Sequence, residues 1–196
     1  SYGGTVINSS ADLCMYLLNE ALVALVSGDA FGDSNCIRIS YATSEEVLEE
    51  ALKRVKIALE KFFARPDTLS VGICNGCQLW MELDLINPDH EIHGKMTHNT
   101  SGKHESNFVS VKVQDNNSIM LKTLAGSTLG VWISHGEGKF KFPYAEDKYN
   151  IVAKYAYEQY PHNPNGSDFN TAMMCDATGR HLVTMPHIER SIFQWN

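Results

Sequence analysis

The chain lacks any apolar run of the roughly 18 residues that a membrane-spanning helix needs, and it lacks a cleavable signal pattern, so a soluble, cytoplasmic protein is expected. It has no basic stripe. Lys and Arg number 16 against 23 Asp and Glu, a net charge of −7 that argues against a nucleic-acid partner, and nothing points to a membrane surface. Internal repeats and low-complexity tracts are missing, and 43% apolar with 20% charged residues is the composition of a folded chain. Cysteine is sparse, five in all. Cys14, Cys36 and Cys175 form no second pair to complete a tetrahedral site with Cys74 and Cys77, and no metal is expected. An odd thiol suits a reducing compartment. A length of 196 residues fits one domain, or one domain with an appendage.

What the chain does have is Gly72-Ile73-Cys74-Asn75-Gly76, at the end of a short β-rich run and at the start of a helical one. Strand, sharp turn and helix is the geometry of a nucleophile elbow. Glycine on either side of Cys74 is expected because a side chain there would collide with the neighbouring strand or helix. The thiol would sit at a helix N-terminus, where the dipole favours thiolate. The alternative, a redox or zinc Cys-x-x-Cys pair, has the weaker spacing argument.

A cysteine nucleophile needs a base, and the base needs an orienting group. Met185-Pro186-His187-Ile188-Glu189 follows a strand-like run, and Pro186 holds the chain extended. On an extended segment His187 and Glu189 face the same side, so Glu189 can hold the imidazole while His187 points at the thiol. Ser134-His135-Gly136-Glu137-Gly138 is a second candidate, read equally as a close backbone approach to a ligand or as a plain turn.

These motifs, together with Asn99-Thr100-Ser101-Gly102-Lys103-His104-Glu105-Ser106, Leu124-Ala125-Gly126-Ser127 and Tyr160-Pro161-His162-Asn163-Pro164-Asn165-Gly166-Ser167, resemble the class I glutamine amidotransferase family, and within it the branch serving purine biosynthesis. The resemblance covers about residues 60–196. It implies a glutaminase with Cys74, His187 and Glu189 as catalytic triad, and Asn75, Gln78 and His135 in oxyanion or substrate binding. It implies glutamine as substrate and synthetase domains, in cis or in trans, as partner. No cofactor is implied for this domain; ATP and Mg²⁺ belong to the synthetase domains. The family's second oxyanion donor comes from an upstream Gly-rich loop, with which residues 27–33 share only a superficial likeness.

Residues 1 to about 59 resemble another family, the C-terminal end of a pyridoxal-phosphate (PLP) aspartate aminotransferase, through Phe31-Gly32-Asp33-Ser34-Asn35-Cys36-Ile37-Arg38-Ile39-Ser40-Tyr41 and the stretch before it. Arg38 matches the arginine that grips a substrate carboxylate there, a vestigial carboxylate-binding role that guanidinium suits. The segment holding the Schiff-base lysine is absent, so PLP is not expected to bind. The chain reads as a join of two fragments, 1–59 aminotransferase-like and 60–196 a truncated amidotransferase domain. An aminotransferase fragment and a non-catalytic remnant remain as alternatives to the glutaminase.

The expected fold class is α/β: a mixed-sheet, flavodoxin-like three-layer domain, incomplete, with an N-terminal α/β segment. Helices are expected over 11–21 and from the capping box Thr43-Ser44-Glu45-Glu46 to the stop at Pro66, with strands at 22–26, 36–41, 69–74, 108–113, 118–121, 131–134 and 151–157. A hairpin is expected to pair 173–176 with 181–185.

Overall fold

The computed structural model describes residues 6–32, 34, 36–38 and 43–191. The chain divides into two compact units, Ser1–Thr68 and Leu69–Asn196.

In the first unit α1 (Ser10–Ala21) starts where the Ser9 hydroxyl accepts from the Asp12 backbone N–H. It buries Tyr16, Leu17 and Ala21 against Ala58 of α2 (Glu45–Phe63), with Leu13, Val23, Leu25 and Ile37 packed around them. β1 (Val26–Ser27) pairs antiparallel with β2 (Ile37–Arg38). The expected strand over 22–26 shrinks to this two-residue piece. Leu22 takes a left-handed conformation (φ 54°) to cap α1, and the Val23 N–H is spent on Leu17 O. The expected strand at 36–41 is seen at 37 and 38; residues 39–41 lie outside the described residues. α2 begins after Ser44 as expected, though no capping side-chain bond forms there, and it ends before Pro66.

The second unit is built on a curled six-stranded mixed sheet. Its strands are β3 (Ser70–Ile73), β5 (Glu105–Val113), β6 (Thr128–His135), β8 (Ile151–Tyr155), β9 (Thr171–Cys175) and β10 (His181–Thr184), in the order β3-β10-β9-β8-β5-β6. Only β3 and β10 run parallel; every other pair is antiparallel. Val109, Val111, Val131, Ile133, Val152, Met173 and Leu182 fill the core. A two-stranded ribbon, β4 (Lys95–Thr97) with β7 (Lys139–Lys141), was not expected from the sequence. The expected hairpin forms, pairing Leu182 with Cys175 and Thr184 with Met173. The expected strand at 118–121 does not: the Asn116 side chain accepts from Ser118 N, and the chain turns into a 3₁₀ helix at Lys122–Leu124.

The sheet curls far enough that the segment leaving β10 bridges to the opposite edge strand. The His187 N–H donates to Trp132 O at 2.7 Å. That closure brings the chain's late motif beside β6.

β3 leads into α3 (Asn75–Glu82). A Cβ on Gly72 would lie 2.9 Å from Gly76 O and 3.1 Å from Trp80 Cδ2, so only glycine lets α3 rest on β3. Gly76 is different: a Cβ there meets nothing within 4 Å, so the expected clash at that position does not exist. Gly72→Ala is accordingly expected to destabilise the fold by about 1–3 kcal/mol, the usual cost of overpacking against backbone. A lower urea midpoint with an unchanged m-value would show it; a Gly72→Ala midpoint equal to that of the parent would refute it.

Candidate active site

Cys74 occupies the turn between β3 and α3 with φ 51° and ψ −104°, outside the regions an L-residue ordinarily adopts. The Cys74 N–H donates to Thr184 O at 2.8 Å, fastening the turn to the end of β10. The half-buried thiol donates to Ser134 O on β6 at 3.7 Å. Its pKa is raised by burial. The Asn75 backbone N–H and the Arg190 charge pull it down, while Glu189 pushes it up. The helix N-terminus favours thiolate as expected, but desolvation of the sulfur outweighs it, and attack needs a base.

That base lies in the segment that closes the sheet. His187 is buried, and its Nδ1 meets Glu189 Oε1 at 2.6 Å. The carboxylate fixes the proton on Nδ1 and leaves Nε2 as acceptor. Nε2 is buried and has no hydrogen-bond partner. A catalytic group held ready by its neighbour, with its working nitrogen unengaged, is a common arrangement before substrate arrives. Cys77, one turn along α3, is fully buried with its thiol pKa pushed well above the ordinary value. It is a packing residue in this arrangement.

The loop after β6 completes the site. Gln78 of α3 donates from Nε2 to Glu137 O at 2.8 Å, so its amide is occupied in holding the loop. His135 is 3% exposed, and neither ring nitrogen has a partner. Its pKa is lowered to about 4, first by desolvation and further by His104 and His187; Glu105 acts in the opposite sense. The ring lies so close to Gly138 that a Cβ there would sit 2.4 Å from His135 Nδ1. A neutral imidazole beside the elbow can donate or accept a hydrogen bond but carries no charge at neutral pH.

The fold thus ties Cys74 to the ends of β6 and β10 and Gln78 to the loop after β6, while His135 ends β6 and His187, paired with Glu189, leaves β10 and bridges to β6. Arg38 belongs to the first unit, where its guanidinium stacks 4.5 Å from the centroid of the Phe31 ring. Among the described residues no group of three or more His, Cys, Asp or Glu could hold a metal ion. Sequence reasoning passed over Asn99 and Asn165, both buried and both bonded to the loop that carries His135. Their sequence signal was slight, since an asparagine between a histidine and a threonine or between a proline and a glycine reads first as a turn residue.

A family model described as the CobB/CobQ-like glutamine amidotransferase domain matches residues 12–196. The match takes in most of the N-terminal segment that resembles an aminotransferase. A probable phosphoribosylformylglycinamidine synthase of Arabidopsis thaliana, chloroplastic/mitochondrial, is 37% identical over 197 aligned positions, covering 88% of this chain and 13% of that protein. Human phosphoribosylformylglycinamidine synthase is 38% identical over 168 positions, covering 72% of this chain and 13% of that protein. The solved structure of PurLQS from Thermotoga maritima superposes with a TM-score of 0.57 at 25% identity, over 74% of this chain and 60% of that one. This chain spans only about an eighth of the length of the curated relatives it matches. It belongs to the CobB/CobQ-like glutamine amidotransferase domain family.

Proposed function

We propose that the second unit is the glutaminase module of a phosphoribosylformylglycinamidine synthase, releasing ammonia from glutamine for de novo purine biosynthesis. The observation that supports this reading is the strained Cys74 turn, fastened to the end of β10, with a His187–Glu189 pair on the segment that leaves that strand and a second ring nitrogen unengaged. His187 Nε2 takes the thiol proton as the Cys74 sulfur attacks the side-chain carbonyl carbon of glutamine. The Asn75 backbone N–H donates to the oxyanion. The C–N bond breaks, the imidazolium returns its proton to the departing ammonia, and a glutamyl thioester remains on Cys74. Water, deprotonated by His187, then frees glutamate and restores the thiol. Gln78 acts through the loop it holds, and His135 lies against the substrate pocket.

The ammonia acceptor, ATP and Mg²⁺ belong to synthetase domains that act with this one, in cis or in trans. We place the reaction in the cytoplasm, where a working thiol stays reduced. Among the described residues no helix is long and apolar enough to cross a membrane. A glutamine analogue bearing a diazoketone in place of the amide tests the reading. It should alkylate the protein once, at Cys74; alkylation elsewhere or none would overturn it.

For the first unit we propose an origin apart from the amidotransferase domain, as the aminotransferase-like end of a joined chain. The support is its sequence resemblance alone; the family model's match from residue 12 weighs on the other side. With no Schiff-base lysine in that segment, added PLP should give no new visible absorbance band. A saturable band would reinstate the aminotransferase alternative.

A further inference from the structure

We infer that Asn99 is a positioning residue for the glutaminase site, setting the loop of residues 134–138 against the Cys74 thiol. The inference rests on the glutaminase reading and goes beyond it. That loop touches the nucleophile turn at two points. Ser134 O receives the Cys74 thiol, and Glu137 O receives the Gln78 amide. Both contacts are made by backbone carbonyls, so the position of the loop, not its side chains, decides where they lie. His135, the last residue of β6, leads into the same loop.

On its other side one side chain holds two of its backbone groups and ties them to Lys103. Asn99 is 3% exposed. Its Nδ2 donates to His135 O at 2.7 Å and to Lys103 O at 2.9 Å, and its Oδ1 accepts from Gly138 N at 3.0 Å. Its own backbone N–H donates to Gly136 O at 2.8 Å. Asn165 extends the clamp, donating to Gly138 O at 2.6 Å and to the Tyr155 hydroxyl at 3.1 Å. An asparagine side chain offers two donors and an acceptor in one plane, and here all are satisfied, so the buried network is rigid. The loop is pinned between this clamp and α3. A shift of a fraction of an ångström in it would move Ser134 O and the pocket wall together, and such misplacement is costly for chemistry.

Two variants of the full chain separate positioning from folding. Asn99→Asp keeps an acceptor for Gly138 N but sets a carboxylate oxygen against the carbonyls of His135 and Lys103. Asn99→Ser introduces no buried charge and cannot span the three groups. Two reagents report on Cys74: the diazoketone glutamine analogue, which must fit the pocket, and iodoacetamide, which needs only the thiol. The expected result is a rise of tenfold or more in the analogue's half-saturating concentration, with iodoacetamide alkylation within about twofold of the parent. In Asn99→Ser the Gly138 amide should also exchange its hydrogen at least tenfold faster, with β5 and β6 amides unchanged. Equal analogue binding in parent and variants would overturn the inference. So would parallel losses with both reagents and across the whole exchange profile, which mark a merely structural residue. A parent chain that the analogue never labels sinks the glutaminase reading itself; the exchange arm then still decides whether Asn99 sets the loop.

Discussion

Cys74→Ala is expected to lower glutamine hydrolysis by roughly 10³- to 10⁶-fold, the range seen when a nucleophile that acts as a unit with its base is removed. The loss follows from the chemistry: without sulfur there is no acyl carrier, and the remaining oxyanion donor and binding contacts supply only residual acceleration. Cys77→Ala is the informative partner. That thiol is fully buried and held far from ionisation, so its removal leaves a small cavity and no missing chemical group. Activity should stay within about tenfold of the parent, at a stability cost on the order of 1 kcal/mol. His187→Ala should fall nearly as far as Cys74→Ala, because the thiol, raised by burial, does not ionise unaided. Rates of ammonia release by the three variants decide the matter. An active Cys74→Ala beside an inactive Cys77→Ala would move the nucleophile one helical turn along α3.

The elbow could be read from the sequence because it is local. Gly72, Cys74 and the helical run that follows announce a tight turn by residue type, and the strand–turn–helix stands where expected. His187 and Glu189 do pair, but across the 3₁₀ turn Ile188–Arg190 and not on the extended segment that was expected. What could not be read is how far the two motifs are brought together. That depends on the curl of six strands and on a single bridge from His187 to Trp132, a long-range pairing with no local signature. The net upward direction of the Cys74 shift was not legible for a related reason. A helix N-terminus is visible in a sequence, whereas the burial that opposes it comes from the packing of β6 and β10 against the turn. Residues 118–121 show the opposite failure. Ser118, Ile119, Met120 and Leu121 suit a strand by propensity, and one asparagine side chain two residues earlier turned the backbone instead. The Asn99 clamp escaped because its partners are backbone groups far along the chain.

His135 predicts the pH response of the fold. In the unfolded chain its pKa is the ordinary 6.5; in the folded one it is about 4, because the buried ring loses hydration if it ionises and His104 and His187 oppose a further positive charge. The sign follows from proton counts. Between these two values the unfolded state binds a proton that the folded state refuses, so stability rises with pH across the window and falls on acidification. From pH 7 to pH 5 this one group should remove about 2 kcal/mol, approaching about 3 kcal/mol once the pH is below the folded value. Other groups titrate over the same range, so the difference between parent and variant is the quantity to measure. His135→Leu has similar bulk, and because neither ring nitrogen is hydrogen-bonded the change orphans no partner. Urea midpoints taken at pH 7, 6 and 5 should fall more steeply for the parent, and the two stability curves should diverge by about 2 kcal/mol over that interval. Curves that run parallel would mean that His135 accepts its proton in the folded state.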